Sequence, residues 1–188
     1  MSTDSRTVIL AAGPFQVSGT SSYTLRLAEL LPDFGYSPVI ISPDVSSLRK
    51  DVRSKCPTHE YLLLSSPVFR PFVAGMVAQE AAAHRPSLIH VQSRHALSFG
   101  LALSQRLNLP CIVTLHDHQG SPPRVITNKL RLQRIIAVSD SVRDALVNGQ
   151  SIKEDLVTVI HSGVQVPDLV ENAEVLGSQR IPVIGTAG

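Results

Sequence analysis

The chain has 188 residues, of which 43% are hydrophobic and only 4% aromatic, with 17 Lys and Arg set against 15 Asp and Glu. A formal net charge of +2 raises no field able to hold nucleic acid, and the abundance of aliphatic residues excludes general disorder. Two cysteines, Cys56 and Cys111, cannot build a disulfide scaffold, and the apolar run at 8–12 is too short for a signal peptide core or a membrane span, so a cytoplasmic, reducing location is expected. Peripheral membrane contact stays open, because a surface patch is enough for it.

Short β-branched runs alternate with helical patterns along the whole chain. Strands are expected at 7–12, 38–42, 61–64, 88–92, 111–115, 134–138 and 156–160. Between them, Tyr23, Leu27, Leu30, Leu31 and Phe34 fall on one helical face, closed by Pro32 and Gly35. A second helix over 70–85 places Phe72, Val73, Met76, Val77 and Ala81 on one stripe, with Pro71 in its first turn. A third runs near 95–107, and a fourth starts at Ser139 or Asp140, either of which can cap it. This alternation is that of parallel βαβ units covered on both faces, a three-layer α/β/α domain with a mostly parallel sheet of about seven strands. The chain then divides into a domain over 1–165, a polar linker over 166–180 and an apolar strand over 181–188 that reads as the first strand of a further domain.

In such a sheet, ligands gather beyond the carboxyl ends of the strands. After the first strand comes a loop from Gly13 to Ser18-Gly19-Thr20, able to turn free N–H groups and a helix dipole toward an anion, or simply to make a tight turn. Its spacing is neither GxGxxG nor GxxxxGK, which argues against a dinucleotide fingerprint or a Walker loop. After the fourth strand, His90 and Gln92 share a face while Ser93 and Arg94 lie in the turn, where Arg94 is an anion ligand or a surface residue. After the fifth comes the densest polar cluster, His116-Asp117-His118, with His116 placed to hydrogen-bond a ligand and Asp117 able to fix an imidazole tautomer. No third ligand stands at a metal-binding spacing, so no metal is expected. Ser139 caps a helix or touches ligand, and the turn around Gly163 follows the last strand. The basic positions Arg124, Lys129, Arg131 and Arg134 form a solvated face or meet an anionic surface.

Taken in order, Ser18-Gly19-Thr20 before Tyr23-Thr24-Leu25-Arg26-Leu27, Leu88-Ile89-His90-Val91-Gln92-Ser93, Pro110-Cys111-Ile112-Val113-Thr114-Leu115-His116-Asp117, Ile135-Ile136-Ala137-Val138-Ser139 and Val159-Ile160-His161-Ser162-Gly163-Val164 resemble the N-terminal domain of the retaining glycosyltransferase family 4. These are enzymes of the GT-B fold, with two facing Rossmann-like domains. The resemblance implies transfer of a sugar from a nucleotide-diphosphate donor to a glycan, lipid or small-molecule acceptor, with retention and without a required metal or other cofactor. It further implies that the Gly19 loop faces the interdomain cleft and that His116, approaching the donor sugar, is the catalytic residue of this half. The residues beyond the strands add Ser18, Gly19, Thr20, Gln92, Ser93, Arg94, Asp117, Ser139 and Gly163 as the expected substrate-binding positions, Gln92 standing where the family often has a second histidine. Donor binding falls mainly to a C-terminal domain that the chain lacks, so the fragment alone is expected to be inactive. The alternative is a non-enzymatic Rossmann-like module that keeps the cleft without the chemistry.

Overall fold

The computed structural model describes residues 6–48, 50–66, 68–117 and 131–163. Seven strands, β1 (Arg6–Ala11), β2 (Tyr36–Ser42), β3 (Thr58–Glu60), β4 (Pro86–Val91), β5 (Cys111–Leu115), β6 (Leu132–Ala137) and β7 (Val157–Val159), form one sheet in the order β3-β2-β1-β4-β5-β6-β7, with every pair parallel. The helices are α1 (Gly19–Leu30), α2 (Lys50–Lys55), α3 (Arg70–Ala82), α4 (Leu97–Leu107) and α5 (Asp140–Gln150). The architecture is Rossmann-like.

Strand alternation sorts the core into two layers. Ile9, Ala11, Ile41, Ile89, Val91, Val113 and Ile135 face α3, α4 and α5 and are buried with Val73, Val77, Leu101, Leu103 and Leu146. Val8, Leu10 and Ile40 point the other way and pack with Ala28 of α1, Phe15 and Cys56. β1 is central and buried on both faces, so it reads as a continuous apolar run. It also marks the reversal of strand order, pairing with β2 on one side and β4 on the other. A crevice therefore opens where the chain leaves β1 and β4 in opposite directions.

Several expected elements shift. The strand expected at 61–64 is instead β3 at Thr58–Glu60, followed by a 3₁₀ turn over Leu62–Ser65. The backbone of 58–60 takes the ladder beside β2, and Tyr61 N–H closes it on the Ser42 carbonyl. In the turn only Leu64 is buried, while Leu62 and Leu63 face solvent. The stripe expected on α3 is also rotated: Val73, Ala74, Val77 and Ala81 are buried, whereas Phe72 and Met76 are 64% and 44% exposed. The wholly buried Ala74 belongs to the same core cluster as Leu101 and Leu103 of α4, and positions 72 and 76 fall on the opposite, outward side of the helix. The first helix stops at Leu30, and a 3₁₀ turn carrying Pro32 continues to Gly35. The linker expected at 166–180, the strand at 181–188, and His118, Arg124 and Lys129 lie outside the described residues.

Candidate functional site

Three loops meet at the reversal of strand order. The loop after β1 runs from Ala12 to the start of α1, that after β4 carries Ser93, Arg94 and His95, and that after β5 begins with His116 and Asp117. Together they enclose a cleft of about 400 Å³, within the size range of small-molecule sites. The first two loops touch closely at Gly13: a Cβ built there would lie 2.9 Å from Ser93 Oγ, a contact that real side chains do not make. Ser42 secures the same loop from beneath, donating to the Gly13 carbonyl at 2.9 Å.

α1 opens onto this cleft. Ser18 caps it, its hydroxyl accepting from Ser21 N–H at 3.3 Å, and Ser18, Thr20, Ser21 and Thr24 line the wall. Thr24 is buried and returns its hydroxyl to the Thr20 carbonyl at 2.9 Å, so an apolar helix face carries a satisfied polar residue where it meets the site.

His116 stands at the end of β5 on the face covered by α1. Tyr23 packs against its ring edge-to-face, with centroids 4.9 Å apart. The ring donates to the Gln92 backbone carbonyl, while Nε2 is buried and finds no partner among the described residues, which assigns the donated proton to Nδ1 and leaves Nε2 a lone pair. Burial lowers the pKa of His116, against the opposing pull of the Gln92 carbonyl and the Asp117 carboxylate, so the neutral imidazole prevails at pH 7.

Beneath it lies a second polar layer on the same sheet face. His90 Nε2 and Thr114 Oγ1 share a hydrogen bond of 2.8 Å, both residues being buried. Burial, reinforced by the neighbouring His116, pushes the His90 pKa down to about 4. The Gln92 side chain is wholly buried, and neither its oxygen nor its nitrogen has a hydrogen-bond partner among the described residues. At the rim, Arg94 Nη2 meets Asp117 Oδ1 at 3.2 Å, joining the loops after β4 and β5.

Of the residues singled out in the sequence, Ser18, Thr20, Ser93, Arg94, His116 and Asp117 share the cleft wall. Gly19 lies between two of them. Gln92 sits behind the wall and reaches it through its carbonyl's bond to His116. Ser139 and Gly163 are not among the cleft-lining residues: Ser139 caps α5, accepting from Val142 N–H at 3.3 Å, and the Gly163 carbonyl accepts from Arg26 Nη1 at 3.0 Å. Sequence reading missed Tyr23, Thr24 and the His90–Thr114 pair. A threonine at a core position of the first helix, and polar residues in phase on the fourth and fifth strands, were the available signals. Among the described residues no three His, Cys, Asp or Glu side chains group as a metal site would need, and no helix is long and apolar enough to cross a membrane.

The chain matches the model of Glycosyltransferase Family 4 over residues 17–166. No curated protein matches it. Among solved structures it is similar to a glycosyltransferase from Rickettsia africae, with a TM-score of 0.73 and 23% identity over 86% of this chain and 44% of that one. It is also similar to Anabaena Alr3699/HepE in complex with UDP-glucose (0.63, 17%, 84% and 44%) and to Acinetobacter baumannii MurG (0.64, 10%, 86% and 46%). The chain thus spans less than half the length of each of these structures. At such identities the likeness establishes the shared fold.

Proposed function

The chain belongs to glycosyltransferase family 4, and we propose on that basis that it forms the acceptor-side half of a retaining enzyme that moves a sugar from a nucleotide-diphosphate donor to an acceptor hydroxyl. The observation that carries this reading is the buried Nε2 of His116, without a partner among the described residues, on the wall of the cleft. A neutral imidazole held by the Gln92 carbonyl offers an acceptor of fixed direction, suited to a sugar hydroxyl and costly to leave unmade in a buried place. In this role His116 orients the donor sugar and forms no covalent bond to it. The nucleotide is held mainly by a second domain, and this half alone does not turn over.

As the bond from the anomeric carbon to the diphosphate breaks, negative charge grows on the leaving group. The N-terminal end of α1, whose first turn lines the cleft, meets part of that charge, and the reading calls for no metal. A nucleotide-sugar donor is also in keeping with the UDP and UDP-glucose complexes of Alr3699/HepE, whose fold this half shares.

The test is transfer by the full-length protein with a panel of nucleotide sugars. His116→Ala is expected to abolish turnover while leaving acceptor binding intact. An absence of transfer and hydrolysis with every donor, or a His116→Ala variant of undiminished rate, overturns the reading.

A further inference from the structure

The main cleft has a side pocket. A second cavity of about 160 Å³ shares Ala12, Gly13, Pro14 and His95 with the cleft and continues from them between Pro43, Leu64, Ala96 and Phe99. Its volume is close to that of an apolar cavity of about 150 Å³ that accepts benzene. Its walls are formed largely by apolar residues, with Ser65, Arg70 and the shared His95 as the polar side chains. A sugar ring placed here would leave several hydroxyls without partners, at a desolvation cost that its small apolar surface does not offset.

Arg70 decides the charge. Its Nε donates to the Leu64 carbonyl at 3.0 Å and its Nη1 to Ser98 Oγ at 3.1 Å, both neutral acceptors. No carboxylate among the described residues forms an ion pair with it. The guanidinium is thus fixed in place by neutral acceptors, without an ion-pair partner among the described residues, beside a largely apolar cavity the size of one aromatic ring. Such a group attracts an anion, and it also favours the face of an aromatic ring.

We propose that this side pocket seats an aromatic group of the acceptor bearing a negative charge, held beside Arg70, while the acceptor's hydroxyl extends into the main cleft toward His116. The word acceptor rests on the glycosyl-transfer reading; the binding preference of the pocket does not.

The experiment is calorimetric titration of the full-length protein, without any nucleotide sugar, with 4-hydroxybenzoate, its uncharged analogue 4-hydroxybenzamide, and methyl glucoside. The carboxylate is expected to bind with one-to-one stoichiometry, at least tenfold tighter than the amide, and the glucoside not to compete. Arg70→Met is expected to erase the tenfold preference without weakening the amide. Filling the pocket through Ala96→Leu is expected to block both aromatic compounds. Ser65→Trp, at an exposed wall position, repeats that test where the buried change impairs folding. Equal binding of carboxylate and amide, tighter binding of the glucoside, or a preference that survives Arg70→Met overturns the proposal. Because no transfer is read, failure here leaves glycosyl transfer standing, and failure of transfer with all donors leaves this pocket's preference standing.

Discussion

The buried His90 makes the stability of the domain depend on pH in a direction that can be worked out. In the unfolded chain an imidazole titrates near 6.5, and in the fold His90 is held down to about 4. Above pH 6.5 both states are neutral and His90 contributes no slope. As pH falls from 6.5 toward 4 the unfolded chain takes up a proton that the folded chain refuses, so stability is lost through this window, and it levels off below pH 4 where both states are protonated. The full difference amounts to about 3 kcal/mol, a large share of the roughly 5 to 15 kcal/mol that hold a domain together. With a urea dependence of about 1 to 3 kcal/mol per molar, it would move the unfolding midpoint by about 1 to 3 M. His116, also shifted down, adds to the trend in the same direction. His90→Gln removes the first contribution and keeps a polar group opposite Thr114. Urea unfolding followed by far-ultraviolet circular dichroism from pH 7.5 to 4.5 should show wild type losing stability more steeply than the variant. Parallel curves for the two proteins would refute the reasoning.

Three further substitutions probe the scaffold. Gly100→Ala would drive a Cβ into Cγ2 of the buried, β-branched Val91, so about 1 to 3 kcal/mol of overpacking should outweigh the roughly 1 kcal/mol gained in helix propensity, seen as a lowered thermal midpoint. Gly13→Ala should displace Ser93 and weaken ligand binding in the cleft by tenfold or more, while thermal stability changes little by comparison; unchanged binding would mean that the contact of these two loops does not shape the site. Ser139→Ala should cost about 1 kcal/mol through loss of the α5 cap and leave substrate affinity alone, whereas a selective loss of affinity would return Ser139 to the binding site.

Fold class was legible because it depends on period and order, which a single sequence carries. β5 was read with its observed boundaries, and β1, β2, β4, β6 and β7 within two residues or so, because buried parallel strands announce themselves as β-branched runs between turn residues. The expected strand at 61–64 failed for a reason of the same kind. Tyr61-Leu62-Leu63-Leu64 has the composition of a core strand, but β-composition marks residues that fit a pleated surface, and the ladder beside β2 was occupied by the more polar Thr58-His59-Glu60. At the site, reading the residues just beyond each strand gathered His116, Asp117, Ser93 and Arg94, since strand direction alone carries them to one rim. What it could not give was depth. Ser139 also follows a strand, yet β6 lies two strands away from the reversal point at β1 and β4, and its hydroxyl is committed to α5. The His90–Thr114 bond depends on the register between β4 and β5, which no local pattern encodes.

The central position of β1 has a consequence during synthesis. Its first partner, β2, follows after one helix, but its other neighbour, β4, ends only at Val91, 49 residues after β2 ends at Ser42. At roughly 5 to 20 residues per second the ribosome needs about 2 to 10 s to make that stretch. Throughout it the most apolar strand of the nascent chain displays one row of unsatisfied amides and carbonyls. Chaperone capture, or deliberate slowing and hastening of translation across residues 43–91, should therefore change the yield of native protein far more than the same manipulation after residue 91.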